Sequence, residues 1–302
     1  MLRLPLAAAL GLLLAGCATS APPLAARAPQ PECVFTDAGL VPLQGAGGLA
    51  VAGAINGTPL RFDVNTGLGI TALLPGVANR LGLPTDPRRQ SSFSDSGGVA
   101  QRNLLARSIV AGGQEWSDRS LAVRSYRSEG DAPFDVMLAA DLLRETELEF
   151  DLPGRRLGLH RRQDCQGGGP GWTPAASLPV VLAEHSVPVL ALRVNGQPVR
   201  AALQSGNNRT LLSRRAAERL GLLQNAVRGS TTRASGTSSE TARGQEYILR
   251  EFAFGEVVLR DFPVVVLRDS VGSEEMVLGH DWMRDRRVWL SYASRRLFIA
   301  AP

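Results

Sequence analysis

Two three-residue stretches set an amide, a hydroxyl and a glycine in the same order: Asn65-Thr66-Gly67 and, 139 positions later, Gln204-Ser205-Gly206. Hydroxyls of this kind can hydrogen-bond to neighbouring backbone, and the glycines admit a close approach that a side chain would obstruct. The amides can donate and accept hydrogen bonds, but near neutral pH they cannot serve as general acid or base. Carboxylates stand close by in sequence. Asp63 lies two residues before Asn65; its counterpart is Ala202, so it forms no symmetric pair and reads as a local surface or ladder residue. Asp95-Ser96-Gly97 lacks an apolar strand in front of it and reads as a turn, matched at offset 139 by Ala234-Ser235-Gly236. Asp141 and Asp281 each precede a helical stretch and read as N-caps. His160, His185 and His280 show no metal-ligand spacing, so neither a metal nor a cofactor is expected; His185 and His280 read as loop or cleft-edge residues. All 33 basic residues are Arg, which excludes a Lys Schiff base, a Walker phosphate loop and a Ser–Lys dyad. There is no Gly-x-Ser-x-Gly and no convincing Ser/His/Asp constellation.

The elements that must position these residues are written twice. From Asn56 to Leu83 and from Asn195 to Leu222, 12 of 28 positions are identical at offset 139 without a gap, among them Gly67, Thr71 and the run Arg80-Leu81-Gly82-Leu83. At offset 140, Leu138-Ala139-Ala140-Asp141-Leu142-Leu143-Arg144 returns as Leu278-Gly279-His280-Asp281-Trp282-Met283-Arg284. Both copies then close on Arg-Arg-Leu, at 155–157 and 295–297. A period near 140 is too long for a solenoid and marks a duplicated domain. Each copy reads mostly as β: short apolar runs such as Leu49–Ile55, Leu60–Val64 and Val187–Val194 are punctuated by Asn-Gly, Gly-Gly and Pro. One helical piece follows each motif, over 75–81 and 214–220.

A strand, then a Thr/Ser-Gly motif, Thr-x-Leu, a short helix and Arg-Leu-Gly-Leu resembles the bacterial retropepsin-like aspartic peptidases. The apolar Leu278-Gly279-His280-Asp281 and Leu138-Ala139-Ala140-Asp141 are similar to that family's segment near the end of each lobe. The resemblance runs from about residue 40 to 300. It implies an all-β, two-lobed acid-protease fold with a pseudo-two-fold axis and short helices. It also implies β-hairpin flaps at Asp95-Ser96-Gly97 and Ser235-Gly236. The family's catalytic carboxylates would fall at Asn65 and Gln204. Aspartic peptidases need two carboxylates sharing one proton, and loss of a positioned acid or base typically costs ~10²–10⁴ in rate. Thr66, Gly67, Ser205 and Gly206, which the resemblance assigns to locking the two loops together, persist. The pattern implies an inactive relative whose cleft takes an extended peptide; an active endopeptidase and a structural lipoprotein with no ligand are the alternatives.

Met1-Leu2-Arg3 followed by an apolar run, Leu4 to Leu14, reads as an export signal too short to span a bilayer. It ends in Leu14-Ala15-Gly16-Cys17, which resembles a bacterial lipobox, so Cys17 is expected to carry lipid and anchor the protein at the periplasmic face of the outer membrane. An ordinary signal cut at an Ala-x-Ala-like site is the alternative. Residues 1–16 then form the signal, 17–40 a lipidated tether, 41–162 the first lobe, 163–177 a Gly/Pro linker and 178–302 the second lobe. Without Cys17, Cys33 and Cys165 remain as an even pair in an oxidising compartment; a disulfide between them is expected, worth about 2–4 kcal/mol. Net charge is +5 and the pI about 9.8, but the Arg are scattered with little aromatic interleaving, so no nucleic-acid partner is expected.

Overall fold

The structure is a computed structural model that describes residues 33–35, 39–45, 48–93, 98–125, 133–161, 168–234, 242–267 and 273–301. The export signal, Cys17 and Cys165 lie outside the described residues. From Pro31 onward the chain forms one unit.

Strand β1 (Cys33–Phe35) is followed by β2 (Leu40–Pro42) and then by the first lobe. There β3 (Ala50–Ile55) and β4 (Thr58–Val64) form a hairpin whose turn is Asn56-Gly57, with φ of 48° and 82°. Positive φ at both central residues is what a type I′ turn demands, and Asn-Gly supplies it. Asn56 Oδ1 also accepts the N–H groups of Arg107 and Ser108, tying the turn to the strand behind it. After β5 (Ala72–Leu73), helix α1 (Pro75–Leu81) begins on a proline and stops at Gly82, in the left-handed region at φ 55°. The lobe continues through β6 (Thr85–Ser91), β7 (Gln101–Ala111), β8 (Gln114–Val123) and β9 (Val136–Leu138) to α2 (Ala140–Leu143). Sheet order is β3-β4-β9-β5-β8-β7-β6, and an extra β3–β7 pairing closes six strands into a barrel-like lobe. Phe62, Ile55, Leu73, Ile109, Leu121 and Met137 fill it.

Next come β10 (Thr146–Asp151), β11 (Arg156–Arg161), β12 (Gly168–Pro170), β13 (Ala176–Pro179) and β14 (Val181–Leu182). The second lobe repeats the first with β15 (Pro188–Val194), β16 (Gln197–Leu203), β17 (Leu211–Ser213), α3 (Arg214–Arg219), β18 (Ala226–Ala234), β19 (Ala242–Phe254), β20 (Val257–Leu267) and β21 (Met276–Leu278). Its order is β14-β15-β16-β21-β17-β20-β19-β18, closed by β15–β19. The Asn195-Gly196 turn repeats the left-handed pair at 48° and 78°. A 3-10 turn at Asp281–Met283 stands where α2 stands in the first lobe, and β22 (Arg287–Ser291) and β23 (Arg296–Ile299) end the chain's regular structure.

A six-stranded sheet joins the lobes in the order β13-β23-β22-β10-β11-β2. That order is the same read from either end once the repeat is applied. Glu149 of β10 stands opposite Trp289 of β22, and these two positions are themselves 140 apart, so the pseudo-two-fold axis passes between them. Two expected boundaries change. The stretch 163–177 contains β12 and the start of β13, and the expected tether contains β1, which pairs in parallel with β12. Strand pairing satisfies backbone N–H and C=O groups that a free linker would leave to water.

Candidate functional site

The paired motifs lie in the loops that leave β4 and β16, and they meet. Thr66 Oγ1 donates to the Leu203 carbonyl at 2.7 Å and accepts the Ser205 N–H at 3.1 Å. Reciprocally, Ser205 Oγ donates to the Val64 carbonyl at 2.6 Å and accepts the Thr66 N–H at 3.0 Å. All four bonds cross between lobes, and both side chains are fully buried. The glycines are needed for the same approach. A Cβ on Gly67 would lie 2.6 Å from Gln204 Cγ, and one on Gly206 would collide with Asn65 Nδ2. Each amide therefore packs against the opposite loop's glycine. Asn65 Oδ1 accepts the Gly67 N–H at 3.0 Å, and Gln204 Oε1 accepts from Asn207 Nδ2 at 2.8 Å.

A second symmetric device holds these loops from behind. Asp141 Oδ1 accepts both the N–H and the hydroxyl of Thr71, at 3.0 and 2.6 Å. Asp281 ties Thr210 in the same way but with both oxygens, Oδ2 accepting the N–H at 2.7 Å and Oδ1 the hydroxyl at 2.6 Å. The N-cap expectation fails: Ala139 and His280 occupy the caps, while both carboxylates sit inside the first turn and span to the motif loop. Burial pushes both carboxyls upward despite the threonine bonds. Asp63 stands in the β3–β4 ladder opposite Ala50, one of its two expected places, but not at the surface. It is only 5% exposed, and its Oδ2 lies 3.5 Å from Asn65 Nδ2. Burial raises its carboxyl to about 7, with the Asn65 bond pulling the other way.

Known proteins can be set beside this geometry. Residues 190–282 match the family model described as aspartyl protease. The chain itself is mostly β, with two lobes each closed by six strands and a few short helices. A comparison with curated proteins gave no match. Among solved structures, the chain is similar to a retropepsin-like aspartic protease from Rickettsia conorii, at 13% identity and a TM-score of 0.33, over 42% of this chain and 95% of that one.

Other residues near the paired motifs take simpler places. His280 Nδ1 donates to the Ser205 carbonyl at 3.0 Å, fixing the back of the second loop. His185 is exposed, has φ 57° and packs against Gly69, where a Cβ would collide with it. Arg209, in the loop after the second motif, pairs with Glu246 of β19. Asp95, Ser96, Gly97, Ser235 and Gly236 lie outside the described residues, but the strands flanking them are antiparallel pairs, β6 with β7 and β18 with β19.

Sequence reasoning missed the Thr71–Asp141 and Thr210–Asp281 ties, although all four residues recur in the repeat. It also missed His160, buried in the joining sheet, stacked on Trp289 and 3.2 Å from Glu149. Among the described residues no cluster of His, Cys, Asp or Glu could hold a metal ion. No helix among them is long and apolar enough to cross a membrane.

Proposed function

We propose that this protein is an exported lipoprotein whose retropepsin-like cleft is catalytically inactive and binds an extended peptide segment. The observation that carries this is the intact interlock of Thr66 and Ser205 around two amides, Asn65 and Gln204. General acid–base attack by water needs a carboxylate on each side of the axis. An amide pair keeps the shape and the hydrogen bonding of the floor while removing the proton transfer. An extended chain entering the cleft would bond through its main chain, and alternate side chains would enter pockets.

One observation favours an active aspartic endopeptidase instead: the buried Asp63 carboxyl beside Asn65. Its second-lobe counterpart is Ala202, which leaves one carboxyl where the reaction needs two. The test incubates the purified protein with a diverse peptide library at pH 3 to 7, with and without pepstatin. Intact peptides retained on the protein are the expected result. Pepstatin-sensitive cleavage would contradict inactivity, and neither retention nor cleavage would indicate an empty cleft. Anchoring is tested separately: Cys17→Ser should move the protein out of the membrane fraction, and continued retention would contradict lipidation.

A further inference from the structure

Strands β1 and β12 form a two-stranded parallel sheet of their own, and among the described residues β1 pairs with β12 alone. Three paired residues on each side make a ribbon too short to hold its place unaided. It lies against β22 of the joining sheet, and Trp172, two residues beyond β12, supplies its side-chain attachment. Trp172 Nε1 donates to Glu149 Oε1 at 2.8 Å, and the Arg287 guanidinium stands 5.7 Å from the Trp172 ring centre. Arg287 Nη2 donates to the same oxygen at 2.5 Å. One carboxylate of β10 thus holds both β22 and the ribbon.

Alternation along β10 explains why a charge stands there. Leu148 and Phe150 join the hydrophobic core, which turns Glu147 and Glu149 to the other face of the sheet, yet these are 0% and 2% exposed. The charged groups around Glu149 are few. Arg287 comes from β22 and His160, 3.2 Å away, from β11. On β10 itself, Glu147 stands opposite His160 and accepts from Trp289 Nε1 at 3.3 Å, and Asp151 is taken up by Arg156 of β11 at 2.6 Å. The Gly-Gly-Pro of β12 and Trp172 bring no charge. Hydrogen bonds to an ionised acceptor are about twice as strong as neutral ones, so the Trp172 attachment depends on the Glu149 charge. Burial raises the Glu149 carboxyl, but the bonds from His160, Trp172 and Arg287 outweigh it and hold it below the ordinary 4.5. An attachment made by such a group is present above that value and lost as pH falls through the folded one.

We propose that β1, β12 and Trp172 form an acid-released strap, latched to the joining sheet by the Glu149 carboxylate. Release uncouples the N-terminal strand from the lobe junction, so acid loosens the link between the proposed anchor and the two lobes. The device is independent of any peptide in the cleft. The experiment is hydrogen–deuterium exchange on the purified full chain from pH 7 to 3, corrected for intrinsic rates. Protection over 33–35 and 168–172 should be lost with a midpoint below pH 4.5, while β4 and β16 stay protected. Glu149→Gln should open the strap at pH 7. Trp172→Phe keeps an aromatic ring beside Arg287, removes the N–H, and should speed strap exchange about tenfold at pH 7. A midpoint above 4.5, loss of strap and barrel protection together, or an unchanged strap in Glu149→Gln would each overturn the assignment. If Glu149→Gln does not fold, unchanged strap exchange in Trp172→Phe overturns it.

Discussion

Asp63 shows how two residues' distance along a strand can change what an acid does. Along β4, Leu60 is buried, Arg61 exposed and Phe62 buried, and simple alternation would leave Asp63 exposed. Alternation stops there because the strand end reaches the lobe junction, where Val64 already accepts a bond from Ser205 of the other lobe. Nothing in the local sequence announces that cover. The consequence is measurable. With its folded carboxyl raised to about 7 from 3.8, Asp63 holds a proton in the folded chain that the unfolded chain has released. Its contribution to stability is thus present below about pH 4 and is lost as pH rises toward 7. Asp63→Asn should match the natural chain near pH 4 and exceed it near pH 8 in thermal unfolding. A constant difference across that range would show that Asp63 does not ionise as described.

Among the elements, β10 and β22 hold the lobes together around a buried charge. Glu149 accepts from Arg287 at 2.5 and 3.2 Å, from Trp172 at 2.8 Å, and lies 3.2 Å from His160. Burial pushes its carboxyl up, but those hydrogen bonds outweigh it and leave it below the ordinary range. Its stabilising share is therefore present above the unfolded value and lost as pH falls through the folded one. Arg287→Met should cost about 3–5 kcal/mol by stranding Glu149, and Glu149→Gln in the same chain should recover part of that. Urea unfolding at pH 7 checks both; equal losses in the single and double variants would mean the pair is not coupled. The Arg-Arg-Leu that leads into β11 and β23 was legible from the repeat, whereas the long β7–β8 and β19–β20 hairpins were not. At β7 and β19 the offset has become 143, as Ala111 opposite Gln114 and Phe254 opposite Val257 show, and it returns to 140 by β9 and β21. Length changes inside a hairpin erase a gapless match while leaving the barrel intact.

For the whole molecule, duplication explains both what could be read and what could not. The turn pairs, the interlocking hydroxyls and the two lobes follow from residues that recur at fixed offset. The charge cluster on the axis does not recur, since Glu149 faces Trp289 where symmetry brings different residues together. Pairing of β1 with β12 sets Cys33 opposite Gly168, three residues beyond Cys165 in sequence. A Cys33–Cys165 disulfide remains our proposal, and the denatured, unreduced mature protein should then show no free thiol in an Ellman titration; two would contradict it.

We propose that the cleft kept its architecture and lost its chemistry at Asn65 and Gln204. The most direct measurement compares peptide cleavage by the natural chain and by the Asn65→Asp, Gln204→Asp double variant at pH 3 to 7. No cleavage by the natural chain, with pepstatin-sensitive cleavage gained by the variant, is the predicted result. Pepstatin-sensitive cleavage by the natural chain would contradict it.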